Sequence, residues 1–168
     1  KDEGLISINK KTGVVSFKVS PDYEKPIDVG SDNSINFSVQ VSDGALIDVQ
    51  EYSFAITNKN EAPVITTTSF SISENNVIVG AISASDVDSG TTLSYGLAAG
   101  AGSDEQLFDI NSTTGALVFK LRPDYETPKD NGGNNTYNIS VTASDGSIKT
   151  SKVIEITVQN VNEAPSFL

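Results

Sequence analysis

The chain has 168 residues, 22 of them acidic and 11 basic, a net charge of −11, and no Cys, Met, Trp or His. The lack of Cys and His excludes disulfides, thiolate or imidazole metal sites and histidine-based catalysis, and the negative charge argues against nucleic acid as a partner, since phosphates require Lys and Arg. No apolar run approaches the length that spans a bilayer, so we expect no direct membrane insertion.

The first part of the chain, residues 1–63, ends in the oxygen-rich segment Asn58-Lys59-Asn60-Glu61-Ala62-Pro63. This segment follows a stretch that predicts a strand, and another such stretch begins at Val64. Proline fixes its own φ and favours an extended conformation in the residue before it. We therefore interpret the segment as a stiff junction between two domains.

The same pattern occurs again about 102 residues later, without a gap. Residues 21–24 match residues 123–126 as Pro-Asp-Tyr-Glu, and residues 42–44 match residues 144–146 as Ser-Asp-Gly. The junction segment returns in residues 160–165 as Asn-Val-Asn-Glu-Ala-Pro. A fixed period of this length indicates tandem domains.

The period predicts three segments: an incomplete repeat in residues 1–63, a complete repeat in residues 64–165, and the start of a third repeat in residues 166–168. The first repeat has no counterpart of residues 64–103, and the absence of Met suggests that Lys1 is not a translation start. We therefore expect a piece of a longer array. The incomplete repeat would expose an unpaired edge and half a core, unless it borrows strands, is partly disordered, or is completed by further residues.

Within the complete repeat, seven short stretches have the alternating or β-branched pattern of strands, with turn residues between them. In chain order they cover residues 64–73, 77–85, 92–97, 107–110, 115–121, 137–143 and 148–158. No segment has a convincing helical period. We predict an all-β fold made of Greek-key, seven-stranded, immunoglobulin-like β-sandwich repeats in tandem.

Most acidic side chains at matching positions lie in predicted turns. Asp-Tyr-Glu occupies residues 22–24 and 124–126, and Asp-Val-Asp occupies residues 86–88. Carboxylates two residues apart in a loop can converge on one ion, and Ca²⁺ takes about six to eight oxygen ligands. Without a cation, such a cluster would be repulsive.

Other polar residues have simpler interpretations. Asp-Gly is an ordinary turn former, but within the repeated set we interpret Asp145 as a ligand candidate, and Asp43 as its counterpart without a preceding domain. Tyr23 and Tyr125 are expected to pack and orient their loops. We expect a solvated loop in residues 129–135 and surface acids at Asp104, Glu105 and Asp109.

Together these motifs resemble the cadherin repeat, in its bacterial version. Each motif alone is weak evidence, but their order and their recurrence make the resemblance specific, and it covers essentially the whole chain. The motifs are Ser-Glu-Asn (residues 73–75), Asp-x-Asp-x-Gly (86–90), Leu-x-Tyr (93–95), Phe-x-Ile followed by Gly (108–115), Asp-x-Glu (124–126) and Ala-x-Asp-Gly (143–146).

The resemblance implies calcium between successive domains. At the junction of the two repeats, the implied ligands are Asp22, Glu24, Asn58, Asn60 (through its backbone carbonyl), Glu61, Asp86, Asp88 and Asp145. At the far end of the complete repeat, they are Glu74, Asp124, Glu126, Asn160, Asn162 and Glu163. We expect weak binding or none at this second set, because no following domain is present.

Three departures from the family pattern weaken the expected calcium sites. Asn58 and Asn160 stand where the family linker has Asp, and Ala follows the linker Glu. Thr91 and Thr92 stand where the family has Asn after the Asp-x-Asp-x-Gly turn. The first junction also lacks the Glu of the missing opening turn. We therefore expect about one or two ions per junction, with modest affinity.

Three classes of function were weighed. The preferred hypothesis is structural: calcium makes tandem sandwiches rigid in a large secreted or cell-surface protein that serves adhesion or extension. The alternative is a binding module for a surface glycan or for other cadherin-like repeats, although the chain has no Trp and only 5 Tyr for stacking on sugars. An enzyme is not expected, because the paired carboxylates recur in every repeat rather than forming one active site.

Overall fold

The computed structural model of the chain describes residues 1–100 and 104–164. Its regular elements are β-strands and two short 3-10 helices, and no α-helix occurs in these two ranges. The prediction of an all-β fold is therefore confirmed. The chain divides into two compact units, Lys1–Lys59 and Asn60–Leu168. The predicted end of the complete repeat at Pro165 and the start of a third at residues 166–168 lie outside the described residues.

The first unit contains two antiparallel hairpins. Its elements are a 3-10 helix at Glu3–Leu5 and the strands β1 (Ile6–Ile8), β2 (Val15–Phe17), β3 (Ser34–Ser42) and β4 (Ile47–Ala55). β1 pairs with β2, and β3 pairs with β4 over nine residues, from Ser34 opposite Ala55 to Ser42 opposite Ile47.

The described residues of the second unit, 60–100 and 104–164, form nine strands and a 3-10 helix at Glu105–Leu107. The strands are β5 (Val64–Ile65), β6 (Ser69–Ser73), β7 (Ile78–Ala81), β8 (Ala84–Ser85), β9 (Ser94–Ala98), β10 (Phe108–Ile110), β11 (Ala116–Phe119), β12 (Thr136–Ser144) and β13 (Lys149–Gln159). They form a four-stranded sheet in the order β6-β13-β12-β9, a three-stranded sheet in the order β10-β11-β7, and the short pair β5-β8. β6 and β13 are parallel, and the other pairs are antiparallel.

The core of the second unit lies between the four-stranded and three-stranded sheets. Along β12 and β13, alternate side chains point inward, as half-buried strands require. The fully buried side chains include Tyr137, Ile139 and Val141 from β12 and Ile154, Ile156 and Val158 from β13, and they pack with Phe108, Leu117 and Phe119 of the other sheet. The predicted β-sandwich is thus present in this unit.

Two predicted strands, residues 64–73 and 77–85, are each interrupted, so the unit has shorter segments than the sequence indicated. At the first interruption the hydroxyl of Thr67 accepts the backbone N–H of Ser83 at 2.8 Å. Each of the two predicted strands thus divides into one segment in the small β5-β8 pair and one segment in a larger sheet. The β-branched pattern does not reveal this, because Thr favours strands whichever sheet they join.

Two acids that we predicted at the surface are buried. The Oδ1 of Asp104 accepts the N–H of Asn131 and its Oδ2 accepts the N–H of Asn138, both at 2.8 Å. Glu105 Oε1 accepts the N–H of Ser140 at 2.7 Å. The surface prediction was wrong because these carboxylates satisfy backbone donors of a loop and a strand that are distant in sequence.

The loop at residues 129–135, which we expected to be solvated, is fixed by a buried carboxylate. Asp130 accepts the backbone N–H groups of Asn134 and Asn135 at 2.9 and 3.0 Å. In the first unit, Asp28 makes the equivalent bonds to Asp32 and Asn33. In both units, therefore, an equivalent buried Asp fixes the equivalent loop.

Candidate metal centre

Three carboxylates meet at one end of the second unit. Glu74 follows β6, whereas Asp124 and Glu126 lie in the loop between β11 and β12. One carboxylate oxygen from each of the three lies within 4.8 Å of the others. Glu74 is only 3% exposed. Burial of a carboxylate beside two other carboxylates is costly without a compensating cation or hydrogen-bond donors.

Glu74 is held by backbone donors from two other segments. Its Oε2 accepts the N–H of Tyr125 at 2.8 Å, and its Oε1 accepts the N–H of Val161 at 2.7 Å. One carboxylate thus ties the turn after β6 to the Asp-Tyr-Glu loop and to the segment after β13. The Tyr125 backbone N–H thus bonds its loop to Glu74, and Tyr125 is 38% exposed.

The segment after β13 adds amide and carboxylate groups to this end. Asn160 Nδ2 donates to Glu126 Oε1 at 2.6 Å, and Asn75 Nδ2 donates to Glu163 Oε1 at 3.0 Å. We had not named Asn75 as a site residue, although it belongs to the Ser-Glu-Asn motif. Asn162 is exposed, and the structure describes no hydrogen bond between its side chain and this cluster.

At the other end of the second unit, the junction residue Glu61 lies beside the Asp-Val-Asp turn. The Glu61 N–H donates to Asp88 Oδ2 at 2.9 Å, and the Asp88 N–H donates to Asp86 Oδ1 at 2.9 Å. Carboxylate oxygens of Glu61 and Asp88 lie within 4.8 Å of each other. Asp86 Oδ2 is buried and has no hydrogen-bond partner among the described residues, which fits an oxygen intended for a cation.

Asp145 lies at the same end and also contacts the junction. Its Oδ1 accepts the N–H groups of Ser147 and Ile148, both at 2.6 Å, and its Oδ2 accepts Asn60 Nδ2 at 2.7 Å. These hydrogen bonds, above all the one from Asn60, hold the pKa of Asp145 below its ordinary value. The carboxylate is therefore ionised at neutral pH, as a calcium ligand must be.

In the first unit, Asp22 is paired with a lysine. Its Oδ1 accepts the N–H of Glu24 at 3.1 Å, and its Oδ2 lies 3.2 Å from Lys25 Nζ. The hydrogen bond from Lys25 is the main cause that lowers the pKa of Asp22. Asp124, the equivalent acid, has Thr127 in that place, and the Thr127 hydroxyl is the main cause that lowers its pKa.

Asn58 also belongs to the first unit, as does Asp43 in the turn between β3 and β4. Asp43 Oδ1 accepts the N–H groups of Ala45 and Leu46 at 2.9 and 2.8 Å. These bonds, first the one from Leu46, lower the pKa of Asp43. In this structure, Asp43 therefore stabilises the turn between β3 and β4, as the Asp-Gly pattern predicts.

The donor set at both ends of the second unit consists of oxygen atoms alone. Such sets suit hard cations such as Ca²⁺ and Mg²⁺, whereas zinc and copper sites use imidazole or thiolate. Of the candidate ligands in this unit, the structure places Asn60, Glu61, Asp86, Asp88 and Asp145 at one end and Glu74, Asp124, Glu126, Asn160 and Glu163 at the other. Among the described residues, no helix has the length and apolar character of a membrane span.

Solved structures similar to this chain are cadherin segments. Human protocadherin-24 EC1-2 (form II) is 20% identical with a TM-score of 0.62, and the match covers 98% of this chain and 79% of that one. Mouse protocadherin-24 EC1-3 is 22% identical with a TM-score of 0.54, covering 92% and 51%. Drosophila N-cadherin EC1-4 is 19% identical with a TM-score of 0.52, covering 94% and 39%.

At these identities, the structural likeness shows the fold alone. No curated protein sequence matches the chain. The family model described as Cadherin domain matches residues 68–159, which is more than half of the chain. The chain therefore belongs to the cadherin domain family.

Proposed function

We propose that the chain is a calcium-stiffened segment of tandem cadherin domains in a secreted or cell-surface protein that serves adhesion or extension. The observation that carries the proposal is the cluster of Glu74, Asp124 and Glu126, whose oxygens converge within 4.8 Å. The cadherin domain is a non-enzymatic adhesion module, and similar structures are described as extracellular cadherin domains. We propose the same setting for this chain.

The tandem arrangement is supported by recurring local structure. The strands β1 to β4 of the first unit recur as β10 to β13 of the second, each about 102 residues later. Asp2, like Asp104, is buried and accepts two backbone N–H groups, here from Val29 and Asn36. We propose an incomplete repeat in residues 1–63, a complete repeat in residues 64–165 and the start of a third in residues 166–168.

The proposed mechanism is charge neutralisation. Asn60 and Glu61 of the junction already bond to Asp145 and Asp88, so a cation held by these oxygens would fix the junction to the second unit. Asp22, Glu24 and Asn58 are proposed as ligands from the first repeat. Calcium would supply positive charge between these carboxylates. Because the ion would bind only the ordered junction, its binding free energy would stabilise the ordered, stiff junction.

The two ends are proposed to differ in affinity. Lys25 competes with a cation for Asp22, whereas the equivalent Thr127 adds no charge beside Asp124. With Asn in place of Asp at residues 58 and 160, each junction would hold about one or two ions. Other cadherin-like repeats are the proposed macromolecular partners, and the described residues offer no support for the surface glycan that we considered.

Thermal unfolding against calcium concentration, with magnesium as the control ion, tests the proposal. Calcium should raise the melting temperature, because a ligand at a hundred times its Kd stabilises the folded state by about 2.7 kcal/mol. Asp86→Ala should remove much of this calcium effect, whereas Glu155→Ala, at an exposed acid on β13, should leave it intact. Melting curves that are indifferent to calcium and to chelator would contradict the proposed function.

A further inference from the structure

The second unit has a surface cavity of about 160 Å³ beside the end of β11. Leu107, Phe119 and Tyr137 form its apolar wall, and the rings of Phe119 and Tyr137 meet edge to face with their centroids 5.0 Å apart. We call this space the Tyr137 cavity. It has the size of one aromatic ring, since a dry apolar cavity of about 150 Å³ in another protein binds benzene.

The first unit has the same construction but almost no cavity. The residues about 102 positions earlier, which include Leu5, Phe17 and Ile35, line a space of about 10 Å³, which is about the space of one water molecule. Every residue that lines the Tyr137 cavity has a counterpart in the first unit, within residues 4–35. The repeat pattern therefore does not require a cavity here, and the comparison does not involve residues 64–100.

Three basic residues also line the Tyr137 cavity, namely Lys120, Arg122 and Lys129. The chain has only 11 basic residues against 22 acidic ones, and Arg122 is its only arginine. Lys120 Nζ donates to the carbonyl oxygen of Gln106 at 2.9 Å, and Lys18 makes the equivalent bond in the first unit. Lys120 therefore has a structural role in both repeats, whereas the other two cations need a different explanation.

Arg122 and Lys129 are specific to the second unit, because Ser20 and Ile27 occupy the equivalent positions of the first. Both cations are exposed, and neither forms a salt bridge within the part of the chain that the structure describes. The backbone of Lys129 is held at the cavity, because its N–H donates to the Tyr137 hydroxyl at 3.3 Å. The second unit thus combines an apolar cavity with two added cations from different segments.

We infer that the Tyr137 cavity is a docking site for an acidic peptide segment of a partner protein, in which one aromatic side chain lies between acidic residues. The ring would fill the cavity, and the flanking carboxylates would meet Arg122 and Lys129. Arginine forms paired, charge-assisted hydrogen bonds with carboxylates, and an aromatic anchor inside a polar rim is a common arrangement in protein interfaces. A bare anion would leave the apolar wall unused, and a purely apolar ligand would leave the cations unused.

NMR titration of the full chain in chelator tests this recognition without calcium. The probe is the peptide Gly-Glu-Glu-Phe-Glu-Glu-Gly, acetylated and amidated at its ends. Amide resonances of residues 106–107, 119–122 and 129 should shift with one common Kd. Raising the NaCl concentration from about 0.01 M to about 0.15 M shortens the Debye length from about 30 Å to about 8 Å, so binding should weaken at least about threefold.

Arg122→Glu should weaken binding at least about tenfold, because it replaces an attractive charge with a repulsive one. Lys149→Glu is the matched control, since Lys149 is also exposed and the net charge changes equally. Lys149 lies opposite Ser144, seven residues along β12 from Tyr137, so this variant should bind the peptide like the unchanged chain. Both substitutions alter exposed side chains, which usually changes stability little.

Four results would overturn the inference. Equal weakening by Arg122→Glu and Lys149→Glu would show that only net charge attracts the peptide. Equal binding of a peptide with Ala in place of Phe would remove the cavity as the anchor site, and equal binding of a peptide with Gln in place of Glu would remove the cations. The Asp-Tyr-Glu motif of the chain has similar chemistry, so shifts on dilution without peptide, abolished by Arg122→Glu, would assign the cavity to a second copy.

Discussion

At the scale of single residues, the carboxylates of this chain have two kinds of partner. The oxygens of Asp104 and Asp130 accept hydrogen bonds from backbone N–H groups of a loop and a strand, and such charge-assisted bonds satisfy a buried carboxylate. Asp86 differs, because one of its oxygens is buried without a described partner. Neighbouring acids in the same fold can therefore serve structure in one case and cation binding in the other.

The hydrogen bond from Asn60 lowers the pKa of Asp145, and this effect can be tested by substitution. In Asn60→Ala, the largest cause of the lowered pKa of Asp145 is removed, so this pKa should rise toward its ordinary value of 3.8. A depressed carboxyl pKa stabilises the fold above the ordinary pKa, and this contribution is lost as the pH falls through the folded-state value. The variant should therefore be less stable than the unchanged chain at pH 7 and equally stable in strong acid.

The measurement is a carboxyl-carbon NMR titration of Asp145 in chelator, combined with urea unfolding at neutral and acid pH. Asn162→Ala provides the matched control, because Asn162 occupies the equivalent position of the second junction segment and is remote in sequence from Asp145. An unchanged titration of Asp145 in Asn60→Ala would show that the amide does not hold the carboxylate.

Repeated spacing in the sequence placed Asp124 and Glu126 in one turn, and the resemblance to the cadherin repeat implied the remaining candidate ligands. The hydrogen-bond partners could not be predicted in the same way. Lys25 stands one residue after the Asp-Tyr-Glu motif of the first repeat and nothing in its spacing indicates a bond to Asp22. The burial of Glu74 depends on two segments, at Tyr125 and Val161, that are distant along the chain.

At the scale of elements, alternation predicted the long strands well, because β12 and β13 bury every second side chain against a single core. The shorter strands were less predictable. Leu107 was assigned to a strand but ends a 3-10 helix, and the strand predicted at residues 92–97 is found at Ser94–Ala98. Both errors lie at element ends, where local pattern competes with pairing partners that only the folded chain defines.

The turn between β10 and β11 provides an element-scale prediction. Gly115 has a left-handed φ of 71°, and Gly13 in the equivalent turn has a φ of 73°. Alanine in this conformation costs about 1–2 kcal/mol at either site. Gly115→Ala should cost about 1–3 kcal/mol more than Gly13→Ala, because its Cβ would also collide with the Ile82 carbonyl and overpack the turn.

Urea unfolding followed at single residues by NMR would give the two costs separately for each unit. The two substitutions control for each other, since the turn conformation is the same and only the space around the Cβ differs. Equal costs would show that backbone strain alone decides the effect and that residues 64–100 do not restrict the turn.

At the scale of the whole molecule, composition predicted the type of metal ligand and the repeat period predicted the domain organisation. The missing Cys and His restricted metal sites to oxygen ligands, and the repeat of about 102 residues indicated where equivalent strands lie. The sequence does not reveal how these strands are packed: β4 is exposed along its whole length, whereas β13 is buried at alternate residues.

The difference in burial predicts a difference in local stability between equivalent strands. In chelator, amides of β3 and β4 should exchange with solvent at least about a hundredfold faster than those of β12 and β13. The reason is that β12 and β13 are covered by two further strands and a closed core, whereas β3 and β4 form a two-stranded sheet of marginal stability. Native-state hydrogen exchange checks this within one sample, with Phe37 of β3 and its equivalent Ile139 of β12 as the paired reporters. Both side chains are buried, so equal protection at the two amides would mean that local burial suffices. The two further strands of the larger sheet would then add no measurable stability to β12 and β13.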